Sequence, residues 1–304
     1  MKQKNFRLGE FLIERTIFVG GIASVVIVCL ILGFLVKEGL PLFGHYSMRD
    51  FLFGKEWQPT LPPPNGPQFG LIPNLWGSLL VTAGAAIIAV PLGIATAIYI
   101  RYIAPAKIAS LLKGTVELLG AVPSVAIGFV GAAILSPLIK NWLQLDTGKA
   151  AIVGSILLAF LAIPTITTIA EDALSLVPKE YYQGSIALGA GYWQTISRVL
   201  VPAAKPGLIA AIMLGLGRAI GETMVVIMVT GNAGLLPDQG IWNAFTHSVR
   251  TITGTIGAEA LEVAQGEPHY HALFMLGVIL LLITVFFNFI ATKAVGTNNK
   301  VARI

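Results

Sequence analysis

Five stretches of this chain are long enough to cross a membrane and carry no charged residue: Ile17–Val36, Leu75–Ile100, Leu118–Ile139, Ala150–Ala170 and Ala272–Thr292. A hydrocarbon core about 30 Å thick takes roughly 20 apolar residues of helix to span. A sixth stretch, Leu208–Thr230, is equally apolar apart from Arg218 and Glu222. The runs are continuous rather than alternating every second residue, so they read as helices and not as barrel strands. Pro91, Pro123 and Pro164 lie inside them, which a membrane bundle tolerates because neighbouring helices satisfy the freed carbonyls. With 55% hydrophobic and 12% charged residues, the chain resembles neither a soluble domain nor a disordered one. The expected fold class is an all-α integral membrane protein with six transmembrane helices.

The loop charges predict the orientation. Thirteen of the 20 Lys and Arg residues precede span one, separate spans two and three or four and five, or follow span six. They are Lys2, Lys4, Arg7, Arg15, Arg101, Lys107, Lys113, Lys179, Arg198, Lys205, Lys293, Lys300 and Arg303. Lys37, Arg49, Lys55, Lys140, Lys149 and Arg250 lie on the opposite side. The positive-inside rule then puts both termini in the cytoplasm. The same asymmetry accounts for the net +5 without a nucleic-acid partner, for which no basic patch with stacking aromatics is present. The first apolar run is longer than a signal-peptide core, and no small-x-small cleavage site follows it, so it is expected to be a retained anchor. The single cysteine, Cys29, lies within that run, which leaves no disulfide framework.

The expected organisation is a cytoplasmic N-terminus and anchor over 1–36, an outer loop over 37–74, a five-helix core over 75–295 and a tail over 296–304. The outer loop contains Leu61-Pro62-Pro63-Pro64-Asn65-Gly66-Pro67, a run that forms neither a regular helix nor a central strand. Within the core, 171–205 is long for a cytoplasmic turn and reads as two short helices around Gly189-Ala190-Gly191, where glycine permits a sharp turn. A second outer loop, 231–271, carries Asp238, Glu259, Glu262 and Glu267.

No phosphate-binding Gly-Lys-Ser/Thr loop, zinc-protease motif, nucleophile elbow or Cys/His zinc set occurs. If ATP powers this protein, another chain binds it. His269 and His271 form half a metal site, but no third ligand sits at helical spacing. The plainer reading is polar residues at a membrane interface.

Arg218 and Glu222 carry more information. An arginine in mid-span costs about 2.5–3.5 kcal/mol on insertion scales, so it faces protein or an aqueous path. At i,i+4 the two side chains share a helix face and can neutralise each other. The Gly217-x-x-x-Gly221 spacing admits a second backbone. Two readings stay open on chemistry alone: a buried ion pair that fixes packing, or a pathway guanidinium that forks onto an oxyanion. A similar choice applies to Tyr181, Tyr182, Ile186, Trp193 and Ile196, which suit either a lipid interface or a groove on a cytoplasmic partner.

The segment from 183 to 202 resembles the signature loop of ABC-importer permeases, E-A-A-x3-G-x9-I-x-L-P. Gln183-Gly184-Ser185 falls at E-A-A, Gly189 at the glycine, Val199 and Val201 at the aliphatic positions, and Pro202 at the proline. Gln183 and Gly184-Ser185 depart from the pattern. Five blocks make the resemblance narrower. In order they are Phe51-Leu52-Phe53-Gly54-Lys55-Glu56-Trp57-Gln58-Pro59, Phe69-Gly70-Leu71-Ile72-Pro73, Glu117-Leu118-Leu119-Gly120-Ala121-Val122-Pro123-Ser124-Val125, Asp172-Ala173-Leu174-Ser175-Leu176-Val177-Pro178 and Arg218-Ala219-Ile220-Gly221-Glu222-Thr223-Met224. Together they resemble the phosphate-specific ABC transporter permeases of the PstC family.

The resemblance implies a type I ABC-importer permease fold and one of two permease subunits of an ATP-driven phosphate importer. Its implied partners are a PstA-like permease, a PstB-like ATPase dimer and a PstS-like phosphate-binding protein. ATP and Mg would be bound by the ATPase, with no cofactor on this chain. It also implies that Arg218 and Glu222 lie on the substrate path, and that the loop with Gln183, Gly184, Ser185, Gly189 and Pro202 couples to the ATPase. The alternatives are a permease for another oxyanion, the PstA-type subunit, or a secondary transporter, although no inverted repeat is visible. The outer segments hold six basic against eight acidic residues. Such a face attracts phosphate poorly, which suits delivery by a separate binding protein.

Overall fold

The structure, a computed structural model, describes residues 8–62, 64, 66–236 and 240–296. Lys2, Lys4, Arg7, Asp238, Lys300, Arg303 and the rest of the expected tail beyond 296 lie outside the described residues. In chain order the elements begin with α1 (Leu8–Gly39), α2 (Met48–Phe53), β1 (Trp57–Gln58), β2 (Gln68–Phe69) and α3 (Leu71–Ile98). The middle of the chain forms α4 (Ala106–Ala121), α5 (Ser124–Val130), α6 (Ser136–Leu143), α7 (Ala151–Ser175), α8 (Lys179–Ala187), α9 (Tyr192–Thr195) and α10 (Val201–Ala203). The last third forms α11 (Lys205–Ile220), α12 (Met224–Val229), α13 (Ile241–Thr246), α14 (Ile252–Glu259) and α15 (Pro268–Gly296). Among the described residues five helices are long and apolar enough to cross a membrane. A sixth is present if the pair Tyr192–Ala203 and Lys205–Ile220, bent by 69°, counts as one span.

The centre is the pair α3 and α7. Their backbones approach so closely that a Cβ on Gly84 would lie 2.4 Å from Ser155 Oγ, and one on Gly93 2.8 Å from an Ile166 methyl. Small residues let two apolar helices meet where lipid offers no hydrophobic drive for association. Val81, Ala85, Val153, Leu158, Ala162 and Ile166 fill the contact, with Val225 and Val229 of α12 closing one side. The anchor α1 is different. It is exposed from Phe11 to Phe34 and packs on α15, where Phe34 meets Phe274 edge-on at 5.5 Å.

Two expected spans are not continuous helices. The stretch Leu118–Ile139 is divided at Val122, so that Leu118–Ala121 ends α4 and the membrane-length segment is Ser124–Leu143. Pro123 provides the reason: it has no N–H to donate and pushes the residue before it out of the helical region, and Val122 is extended at φ −64°, ψ 130°. The stretch Leu208–Thr230 is likewise broken, between Ile220 and Met224.

The first outer loop is more ordered than its proline content suggests. Its longest section without helix or strand, among the described residues, is 59–67. Around it stand a 3-10 turn over Leu40–Gly44, α2 and a small antiparallel pair in which Trp57 faces Phe69 and Gln58 faces Gln68. Phe51, Trp57, Phe69, Leu71, Ile252 and Leu276 are packed into a second core. This platform joins the two expected outer loops, with Trp57 N donating to Gly234 O at 2.9 Å.

Candidate functional site

Arg218 sits on the last turn of α11 and is exposed in the isolated chain. Its Nη1 donates to Thr165 Oγ1 of α7 at 3.1 Å, and its Nη2 to the Gly120 carbonyl at the end of α4 at 3.4 Å. Both acceptors are neutral. Among the described residues no carboxylate forms an ion pair with Arg218, so the expected i,i+4 pair with Glu222 is not made. The helix has already ended: Glu222 N bonds Ala219 O at 3.2 Å, and Gly221 and Thr223 leave regular α geometry. An i,i+4 argument holds only while the helix continues.

Glu222 instead starts the next helix. Its Oε1 accepts from Thr223 N and Met224 N, both at 3.2 Å, supplying an acceptor to amides that have no partner at a helix start. The Gly217-x-x-x-Gly221 spacing is also not used within the chain. A Cβ on Gly217 would meet nothing within 4 Å, and one on Gly221 only its own backbone. Gly215, two residues before Gly217 and on the far side of the helix, does pack, against Ile166. The face bearing Gly217 and Arg218 is therefore open in this chain. Thr165 and the Gly120 carbonyl were not foreseen; only the proline break, which ends α4 near Gly120, is visible as a signal.

The segment 171–205 has the expected pair of short helices, with α8 and α9 flanking Gly189-Ala190-Gly191. Gly189 is left-handed at φ +83°. Its N–H reaches Ile186 O at 2.9 Å and Ala190 N reaches Ser185 O at 3.1 Å, the paired bonds of a glycine-closed helix end. Ser185 Oγ lies 2.9 Å from Thr195 Oγ1 in a buried contact that ties α8 to α9. Gln183, Gly184, Gly189 and Pro202 are exposed. Leu188 at the tip is 90% exposed and Trp193 63%. The Tyr192 hydroxyl donates to Tyr102 O beyond the end of α3. Gln183 lies on α8 before this turn and Pro202 on α10 after α9, and the turn between α8 and α9 is closed by backbone bonds at Ser185 and Gly189.

A third cluster joins the platform. Glu259 at the end of α14 accepts from Arg250 Nη1, from Trp57 Nε1 at 2.9 Å and from His269 Nε2 at 2.8 Å. Burial acts to raise its pKa, but the His269 bond, the Arg250 charge and the Trp57 bond outweigh it and hold the carboxyl below its ordinary value. His271 turns elsewhere, Nδ1 donating to Glu38 O at 2.6 Å. The two histidines that read as half a metal site thus serve different partners.

Five or six membrane-length apolar helices among the described residues, broken at Val122 and between Ile220 and Met224, with a charged side chain at the second break, define a polytopic membrane protein. The family of binding-protein-dependent transport system inner membrane components matches residues 89–294. The chain is 39% identical to the probable ABC transporter permease protein YqgH of Bacillus subtilis (strain 168), over 84% of this chain and 80% of that one. It is 31% identical to the phosphate transport system permease protein PstC of Pasteurella multocida (strain Pm70), covering 92% and 89%. Its fold resembles a chain of a bacterial alginate ABC transporter crystallised with a pentasaccharide-bound periplasmic protein, at TM-score 0.59 and 16% identity over 94% and 96%. This chain belongs to the binding-protein-dependent ABC permeases, within the PstC family, and is a multi-pass permease subunit.

Proposed function

We propose that this chain is one of the two permease subunits of an ATP-driven importer of inorganic phosphate. The observation that carries the reading is Arg218, a guanidinium at the meeting of α4, α7 and α11 whose hydrogen-bond partners are a hydroxyl and a carbonyl. Its charge remains available to an anion. Phosphate near neutral pH carries between one and two negative charges, and its desolvation without a partner is prohibitive. A planar fork suits its oxygens. Hydrogen bonds to neutral acceptors are easily exchanged, which suits a path that must also release its substrate. Relatives bearing the PstC name favour this subunit over the PstA type.

The face around Gly217 and Arg218 would meet a PstA-like subunit, completing a path between them and buried from lipid. The segment 171–205 would dock a PstB-like ATPase dimer that binds ATP and Mg, this chain holding no cofactor and no ATPase site of its own. Both termini would be cytoplasmic, and the platform would receive a PstS-like phosphate-binding protein. The test is co-purification with the ATPase and second permease into proteoliposomes. Phosphate uptake should require ATP and the binding protein and should resist competition by sulfate and molybdate. Uptake by the isolated chain, or equal competition by either oxyanion, overturns the reading.

A further inference from the structure

The unwound turn Gly221–Thr223 is held from one side by α14, and the proposed path makes no use of that contact. Thr253 Oγ1 donates to Glu222 O at 2.8 Å. The α12 ladder starts one residue later, with Ile227 N to Thr223 O at 3.1 Å. Residues 253 and 257 lie one turn apart on the same face of α14. A Cβ on Gly257 would come within 2.5 Å of Thr223 Cγ2 and 2.8 Å of Ile227 Cδ1. On the neighbouring position, a Cβ on Gly254 would lie 2.7 Å from Thr251 Oγ1 and 3.2 Å from Asn232 Oδ1. Without a Cβ at 257, the helix can seat this closely on the start of α12, while the Cβ-free position at 254 lets it pack against Thr251 and Asn232.

The rest of α14 is tied to the platform and to the start of α3. Thr251 caps it through Gly254 N at 3.0 Å. Ile252 N donates to Ser78 Oγ at 2.8 Å, and Thr255 Oγ1 to Asn74 Oδ1 at 2.5 Å. At its far end Glu259 is bound by Trp57, Arg250 and His269. The helix is therefore a short strut with one face on the turn that carries Glu222 and its end on the surface formed by the 37–74 loop.

We infer that Thr253 is a positioning residue for Glu222, and that α14 sets the register of the Gly221–Thr223 turn from the platform. A displacement of the platform by a docked binding protein then moves Glu222 relative to Arg218. The inference rests on the proposed importer function.

The experiment uses the complete transporter in proteoliposomes, with Thr253→Val, which keeps shape and loses the donor, and Thr253→Ser, which keeps the donor. Thr253→Val should lower maximal binding-protein-stimulated uptake about fivefold, the order expected for one lost hydrogen bond. Basal ATP hydrolysis and the binding-protein concentration giving half-stimulation should not change, and Thr253→Ser should restore uptake. Gly257→Ala should reproduce the defect, and adding Thr223→Ser, which removes Cγ2, should relieve it. Wild-type stimulation in Thr253→Val, equal loss in the Val and Ser variants, or a change confined to half-stimulation overturns the inference. The wild-type complex is scored separately. If it imports no phosphate, the importer reading fails, while the Val and Ser comparison is still read from stimulated ATP hydrolysis.

Discussion

Arg218 and Arg250 show what a bundle does with an arginine when it is kept free and when it is locked. Arg250 is surrounded: Nη1 on the Glu259 carboxylate, Nε on Asn232 O at 3.1 Å, and little of its side chain in contact with solvent. Arg218 holds two neutral oxygens and lies on an open face. A buried charge that is fully paired fixes geometry, and removing one partner leaves the other unpaid in a poorly polarisable site. A charge with neutral partners keeps its capacity to bind an anion. Arg250 belongs to the scaffold of the platform, and Arg218 is the one we propose lies on the path.

The comparison breaks most directly at Arg218. Arg218→Gln keeps donors for Thr165 and Gly120 but removes the charge. Phosphate uptake should fall on the order of 100-fold, the scale of losing a charge-assisted contact to the substrate, with insertion and complex assembly unchanged. Uptake at the wild-type rate would make Arg218 a packing residue. At the other arginine the losses should reverse. Arg250→Met should destabilise the chain by about 3–5 kcal/mol, because Glu259 stays buried without its cation. Melting temperature in detergent and membrane abundance should both fall, with uptake per assembled complex largely kept. Adding Glu259→Gln should recover part of the loss, since the uncompensated charge goes with it. Additive destabilisation by the two changes would show that they do not act as a pair.

How far the sequence reveals this arrangement depends on the range of each interaction. Membrane helices and the glycine-closed turn at Gly189 follow from runs of neighbouring residues and are legible, and Arg218 stands out in the same way as a charge within an apolar run. The break at Val122 is legible too, but only if Pro123 is weighed above the apolar run around it. The Arg218–Glu222 pair was expected because i,i+4 spacing assumes an unbroken helix, and nothing local announces that Gly221 ends it. The Glu259 cluster draws Trp57, Arg250 and His269 from segments far apart in the chain, so no spacing rule reaches it. Thr253 is invisible for the same reason: an ordinary threonine becomes significant only when α14 lies against Glu222.

Acid sharpens the contrast on the locked side. The Glu259 carboxyl is held below its ordinary value of 4.5. A depressed acid contributes stability that is fully present above the unfolded value and lost as pH falls through the folded one. Thermal stability should therefore be insensitive to this group from neutral pH down to about 5, then decline in more acid solution. In Glu259→Gln the overall stability should be lower, with a weaker decline. An unchanged acid limb in that variant would place the acid sensitivity elsewhere.

The smallest effect lies at the opposite end of the molecule, where Gly189 and Gly191 make a matched control. Gly189 stands at φ +83° with open space around its Cα, and Gly191 is extended at φ −69° with equally open space. Space therefore cannot distinguish them, and only backbone conformation can. Gly189→Ala should cost about 1–2 kcal/mol, the penalty for placing a Cβ residue in the left-handed region. Gly191→Ala should cost close to nothing. The difference should appear as faster amide exchange at Gly189 and Ala190, whose N–H groups close α8, and as weaker ATPase stimulation in the first variant alone. If both alanines exchange alike, the turn is not held by its left-handed glycine, and the α8–α9 segment draws its shape from the Ser185–Thr195 contact instead.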